Sequence, residues 1–315
     1  MPESNAGPRS WDSYRERSTP WMLSLLINIT LLLGRTTTHI ALWPVVLYFW
    51  LTGIRLRRAS REFLCRAMGR EPTPWEVLRH FHTFGVVFID RVYLLGGRGH
   101  ELDIEAQVPD EVLKIFNAGH GCLLLVAHFG SFEVLRVKGT MRDEAPIRIV
   151  LDRQVGRMAM SLLERLNPVL ASRIIDASRR GPELVLDIKQ AIEAGDVVGM
   201  MADRARAQER AIVVRFLDGE VRVPAGPWIV ASTLGIPVVL GFGIYRGGRR
   251  YECRLELFAR QVELPRATRD AALHDQAQRY ATRLEEQVRA APFNWFNFFD
   301  FWLDEPAPRD EAAPH

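Results

Sequence analysis

A histidine and a glutamate five residues apart, His128 and Glu133, follow directly on the apolar run Cys122-Leu123-Leu124-Leu125-Val126-Ala127. An imidazole held by a carboxylate can take a proton from a hydroxyl, which makes an alcohol nucleophilic near neutral pH. The run reads as a buried strand, and sites in parallel α/β sheets gather at the carboxyl ends of strands. His128 therefore stands where a site belongs. Gly130 permits a tight turn from strand to helix, and Ser131 suits the N-cap of a helix over 131–139. Glu133 then falls in the first turn, folded back toward His128. Ser131 lacks the G-x-S-x-G setting of a nucleophile elbow, so the cap is the preferred reading. His120 has no partner at useful spacing and reads as a surface histidine. Such pairs also recur by chance, so the rest of the chain must decide between a catalytic and a purely structural role.

The elements that would hold this pair are legible as alternating apolar runs and amphipathic stretches. Strands are expected at 121–127, 147–152, 172–176, 197–202, 212–217, 237–244 and 252–258, and helices at 110–118, 131–139, 157–166, 182–194, 226–234 and 269–290. Strands rich in Val, Ile and Leu that alternate with helices imply crossover connections. The expected fold is α/β, a mainly parallel mixed sheet flanked by helices. Upstream, Phe63, Leu64 and Met68, then Leu78, Phe81, Phe84 and Phe88, recur at helical spacing from Arg58 to about Leu95.

The first sixty residues differ from this pattern. Trp21–Gly34 and Ile40–Leu51 are almost wholly apolar, broken by Arg35, three threonines and His39. Neither run reaches the roughly 20 residues of a spanning helix. An N-terminal apolar helical membrane anchor is expected over 1–58, whether or not it crosses; the alternative is a pair of buried core helices. A cleaved signal peptide fits less well, because the lead Arg15-Glu16-Arg17 contains an acid and no small-residue cleavage site follows. The main domain then runs over 59–305, and the Pro-, Ala- and charge-rich 306–315 reads as a disordered tail.

Six arginines against one glutamate lie between Arg55 and Arg70, although the whole chain carries only +3. Beside an apolar segment this cluster points to anionic lipid headgroups on the cytoplasmic side. Base-stacking and groove-reading motifs are missing, so a nucleic-acid partner is not expected. The three cysteines, Cys65, Cys122 and Cys253, are widely spaced and show no metal-ligand pattern. A hydrophobic share of 48% over 315 residues fills a substantial core and excludes a largely disordered chain.

The HX4E box of His128 and Glu133 resembles that of the lysophospholipid acyltransferase superfamily, in particular its branch of late acyltransferases of lipid A biosynthesis. Similar boxes follow in family order. A strand runs into Arg153 (Ile147-Arg148-Ile149-Val150-Leu151-Asp152-Arg153), then comes Gly199-Met200-Met201-Ala202-Asp203-Arg204, then Val223-Pro224-Ala225-Gly226-Pro227 ahead of Gly235-Ile236-Pro237-Val238-Val239. The Tyr14-Arg15-Glu16-Arg17 lead also resembles this branch, and the likeness extends from about Trp11 to Trp302. Two features depart from it. Arg204 stands where the family carries glutamine. The end of the chain, Asn294–Trp302, has six aromatics in nine residues and looks like that of acyltransferases of aryl-polyene pigment pathways; its rings either pack on the core or meet an acyl chain.

The resemblance implies transfer of an acyl group from a thioester to a lipid hydroxyl at the cytoplasmic face of a bacterial inner membrane, without cofactor or metal. His128 is then the general base, and Glu133 fixes its tautomer. Backbone N–H groups near Gly226 are candidate donors to the oxyanion. Arg153 is a second candidate, or it holds a donor phosphate, or it is a structural ion pair. Asp203 orients Arg153 or the acceptor, or merely closes a turn, and the part played by Arg204 stays open. The donor is expected to be acyl carrier protein ahead of acyl-CoA, on the resemblance and on an arginine-rich face of Arg179, Arg180, Arg204, Arg206 and Arg210. The acceptor is a lipid A precursor or another lipid, such as a pigment glycolipid, a lysophospholipid or an amino-acid lipid. A non-catalytic acyl-binding membrane protein is the rival of another class.

Overall fold

The structure, a computed structural model, describes residues 20–136, 147–153, 157–179, 181–206 and 209–303. The lead at Tyr14–Arg17, Arg180 and the tail 306–315 lie outside the described residues. Nine helices and nine strands occur among them. The helices are α1 (Pro20–Thr52), α2 (Ile54–Met68), α3 (Pro74–Leu95), α4 (Asp110–Asn117), α5 (Arg157–Leu166), α6 (Pro168–Ser172), α7 (Pro182–Glu193), α8 (Gly226–Leu234) and α9 (Arg269–Ala290). The strands are β1 (Asp103–Gln107), β2 (Cys122–Val126), β3 (Ile147–Leu151), β4 (Ile175–Asp176), β5 (Val197–Met201), β6 (Ala211–Phe216), β7 (Gly219–Pro224), β8 (Val238–Gly247) and β9 (Arg250–Ala259).

Seven strands form one sheet in the order β1-β9-β8-β2-β5-β3-β4. Every neighbouring pair is parallel except the antiparallel β8 and β9. This is the expected mostly parallel α/β sheet flanked by helices. β2, with five buried residues, lies between β5 and β8. Leu123 and Leu125 face a core shared with α7, α8 and α9, whereas Cys122, Leu124 and Val126 face α4, Val134 and Leu135. A strand buried on both faces needs an unbroken apolar run, and that is how β2 reads in sequence.

Away from the turn after β2, the strands depart from the sequence reading in three places. The strand expected at 172–176 shrinks to β4, because Asn167 caps the short helix α6 by accepting the Leu170 N–H and Pro168 starts it. β1 was not foreseen, since its charged, mostly exposed residues carry no apolar signal. β6 is the strand expected at 212–217, but β7 was not foreseen; the two form a separate hairpin joined through Leu217 and Asp218, both at positive φ (50° and 61°), a turn without the usual Gly or Asn.

The apolar N-terminal segment is docked on the domain. α1 is broken at Gly34 (φ 76°, ψ 163°) and lies along α3, with the Leu42 side chain against Gly85. Arg35, the polar break in the apolar run, is buried and forms a two-bond ion pair with Asp90 of α3 (2.8 and 2.8 Å). Tyr93 of α3 donates its hydroxyl to the Thr30 carbonyl (2.8 Å). Among the described residues no single helix is long and apolar enough to cross a membrane; one pair, Arg35–Thr52 with Ile54–Met68, passes that test only together and is bent by 94°. Residue 58 falls within α2. Ile40, Leu47, Tyr48, Phe49, Leu51 and Ile54 remain exposed along this pair.

Candidate active site

The turn after β2 is set by one close approach. Gly130 has φ +61° and sits so near β8 that a Cβ there would collide with the Gly243 carbonyl oxygen, so only glycine fits. Ser131 N–H then bonds the same carbonyl (2.8 Å). The chain continues as a 3-10 turn over Phe132–Arg136, in place of the first turn of an α-helix expected over 131–139; residues 137–139 lie outside the described residues. The Ser131 hydroxyl is not a cap. It donates to Glu133 Oε2 (3.1 Å).

Parallel pairing of β2 with β5 matches Val126 to Met201. Two residues beyond, the chain places His128 beside Asp203. His128 Nδ1 lies 3.0 and 3.1 Å from the two Asp203 oxygens, and the His128 backbone N–H donates to Oδ2 at 3.0 Å. A carboxylate only accepts, so Nδ1 carries the proton and Nε2 keeps its lone pair. The side chain of His128 is 31% exposed and that of Asp203 0%. Burial and the charge of Arg204 push the imidazole below its ordinary pKa against the pull of Asp203, and Arg91 acts in the same direction as Arg204. Burial alone would raise Asp203, but the His128 contacts and Arg204 hold its carboxyl far below the usual range. At neutral pH this is a neutral imidazole on an ionised carboxylate, the state a general base needs.

The carboxylate found on His128 Nδ1, a place expected for Glu133, is that of Asp203. Because the 3-10 turn aims Glu133 at α3, its Oε1 receives Arg91 Nε (2.7 Å) and Nη2 (2.6 Å). Arg91 was missed in sequence. It is one arginine among 41 Lys and Arg, 42 positions from its partner, and only the packing of α3 brings it to the site.

The other anticipated residues fall as follows. Arg153 lies two residues past the end of β3 and is exposed; its backbone N–H and its charge act on Asp176. Gly226 opens α8, with Glu209 Oε1 3.5 Å from the place its Cβ would take. Arg204 is not on an open face. Its side chain is 8% exposed, lies over the Trp295 and Phe299 rings (5.6 and 4.8 Å) and donates to the Phe296 carbonyl (2.7 Å). Of the other arginines expected to meet a carrier, Arg179 pairs with Asp187, Arg206 with Asp152 and Arg210 with Asp270. Among the described residues no group of three or more His, Cys, Asp or Glu is placed to hold a metal ion.

The aromatic C-terminal segment closes the site. Gly130 N–H donates to the Asn294 carbonyl (2.7 Å) and Phe296 N–H to the His128 carbonyl (3.0 Å), so this stretch runs antiparallel to 128–130. Behind it, buried His80 lies between Ser60 Oγ (2.8 Å) and the Trp295 carbonyl (3.0 Å). A carbonyl only accepts, so Nε2 carries the proton and Ser60 donates to Nδ1. Burial lowers the His80 pKa from 6.5 to about 4. The unfolded chain binds this proton near pH 6.5 and the native state does not, so His80 withdraws stability as pH falls from 6.5 to 4, by about 3 kcal/mol in all. Denaturant titrations across that range should show a slope one proton shallower for His80→Gln; an unchanged slope would refute this.

Residues 79–304 match the family described as bacterial lipid A biosynthesis acyltransferase. No curated protein gives a significant match to the chain.

Proposed function

Because the chain belongs to the bacterial lipid A biosynthesis acyltransferase family, and is thus an acyltransferase, we propose that it moves an acyl chain from a thioester to a hydroxyl of a lipid A precursor or related glycolipid, with His128 as base. The observation that carries this reading is the Asp203–His128 contact on Nδ1, which leaves Nε2 with its lone pair at the carboxyl edge of the sheet. Nε2 takes the acceptor's hydroxyl proton as the oxygen attacks the thioester carbon. The C–S bond then breaks, and the imidazolium returns the proton to the departing thiolate. Arg91 and Arg204, whose charges reach His128, supply the positive field for the oxyanion, a part first considered for Arg153 and Gly226.

Acyl carrier protein is the preferred donor over acyl-CoA, on likeness to the late acyltransferases. We place the protein at the cytoplasmic face of the bacterial inner membrane. Exposed apolar side chains from Ile40 to Ile54 and the arginines that follow, Arg55, Arg58 and Arg61, also exposed, form a surface suited to anionic lipid.

The test is transfer by the purified full chain in mixed micelles, from acyl carrier thioester or acyl-CoA to a lipid A lacking one chain, read by mass spectrometry. Gain of one ester-linked chain supports the assignment. Transfer only to pigment glycolipid, lysophospholipid or amino-acid lipid redirects the acceptor, and no transfer to any of them sinks it in favour of an acyl-binding protein.

A further inference from the structure

Trp295 is fully buried, and three rings hold it edge-on: Phe63 (5.1 Å), Phe216 (5.1 Å) and Phe301 (4.9 Å). Its backbone is fixed as well, through the His80 bond to its carbonyl and the bridge between Phe129 and Trp295. An indole has one polar atom, a donor. Held this way, it donates to Asp203 Oδ2 at 3.2 Å, the oxygen that also accepts the His128 backbone N–H. Core packing would be satisfied by a ring without that N–H.

We propose that Trp295 is a positioning residue for acyl transfer: its indole N–H, with the His128 backbone N–H, clamps Asp203 Oδ2 so that the carboxylate is presented squarely to His128 Nδ1. The inference rests on His128 being the base. Asp203 reaches Nδ1 with both oxygens at nearly equal distance, so contact with the ring alone does not stop the carboxylate turning about its Cβ–Cγ bond. Two donors on Oδ2 do. The indole dipole also withdraws charge from the carboxylate, which lowers the basicity of His128.

The charges facing this pair come from four directions. Arg204 follows Asp203 on the same loop, and Arg91 from α3 acts on His128 while held by Glu133. Tyr280 from α9 faces Asp203 and Arg204 and stays a neutral phenol, because burial and then Asp203 raise its pKa well above the ordinary value. His80 sits behind Trp295 and is neutral above pH 5. Tyr280 and His80 are thus both neutral at neutral pH, so a shift of the His128 titration on altering Trp295 reports the indole N–H.

The test replaces Trp295 alone with 3-benzothienylalanine, which keeps two fused rings and puts sulfur in place of N–H; Trp295→Phe is the coarser companion. In the full chain, kcat should fall roughly 10-fold with KM for donor and acceptor unchanged. The acid limb of the rate profile and the His128 titration followed by NMR of labelled histidine should move to higher pH by about half to one unit. A purely structural role lowers Tm and leaves both titrations in place. An unmoved acid limb and an unmoved His128 titration in the benzothienyl variant overturn the proposal, whatever the melting temperature does. His128→Ala runs in parallel: retained transfer there defeats the base assignment itself, whereas an inactive His128→Ala beside an unmoved Trp295 variant defeats only the positioning role.

Discussion

Asp203→Asn should lower kcat by about four orders of magnitude with little change in Tm, close to the loss expected from His128→Ala. The size follows from the network around the carboxylate. Oδ2 accepts two N–H groups, from the His128 backbone and Trp295, so an amide at 203 must keep its oxygen there. Its NH2 then occupies the Oδ1 position, 3.0 Å from Nδ1, and donates to the ring. The imidazole proton moves to Nε2, and the base has lost its lone pair on the side that meets the hydroxyl. A wrong tautomer with intact geometry costs on the order of 10⁴ in a histidine-dependent acyl transfer. Single-turnover transfer with a saturating acceptor, beside a melting curve, separates this from unfolding. Activity within tenfold of wild type would show that Asp203 does not set the tautomer. Glu133→Gln leaves the Nδ1 bond in place and acts through Arg91, which loses its carboxylate partner, so its loss should fall short of that from Asp203→Asn.

The difference between Asp203 and Glu133 also marks how far the sequence could be read. The run Cys122–Ala127 announced a buried strand, and the alternation after it announced the parallel sheet, because burial on both faces leaves a one-dimensional signature. Both His128 and Asp203 stand out as polar residues at the ends of such runs. Their pairing does not, since it depends on β5 lying next to β2 in a particular register, and strand order is not a local property. Glu133 looked like the partner because it falls in the first turn of the helix expected from Ser131, folded back toward His128. The contact between Gly130 and β8 replaces that helix with a 3-10 turn and spends Glu133 on Arg91. The aromatic end of the chain was conspicuous in composition, yet its part in the site depends on where Asn294–Phe296 meets 128–130, contacts more than 160 positions apart. Arg35 is the clearest case. In sequence it interrupts a membrane-like run, and only the fold shows that its charge is answered by Asp90.

Asp90→Ala should cost about 3–5 kcal/mol, a second large effect and one far from the chemistry. Asp90 is wholly buried and accepts from Arg35 twice, from the Tyr251 hydroxyl (2.7 Å) and, at 3.3 Å, from His39 Nε2. Burial by itself would raise its pKa, yet His39 and Arg35 keep the carboxyl ionised. Truncation leaves the Arg35 guanidinium in a site it cannot leave cheaply, with only the Gly248 carbonyl (2.5 Å) among these partners, and it strands the Tyr251 hydroxyl. The double variant Arg35→Met, Asp90→Leu removes the charge with its partner and should recover most of the loss, because desolvating the pair offsets much of what their attraction returns. Urea titration of the full chain reads both, and a loss below about 1 kcal/mol for Asp90→Ala would show that the ion pair is not what docks α1 on α3. Hydrogen exchange then separates two routes to the same loss. If the pair is the lock, amides of Arg35–Thr52 exchange at lower denaturant than those of β2 and β5 in Asp90→Ala. α1 is thereby released while the sheet that carries His128 and Asp203 stays folded.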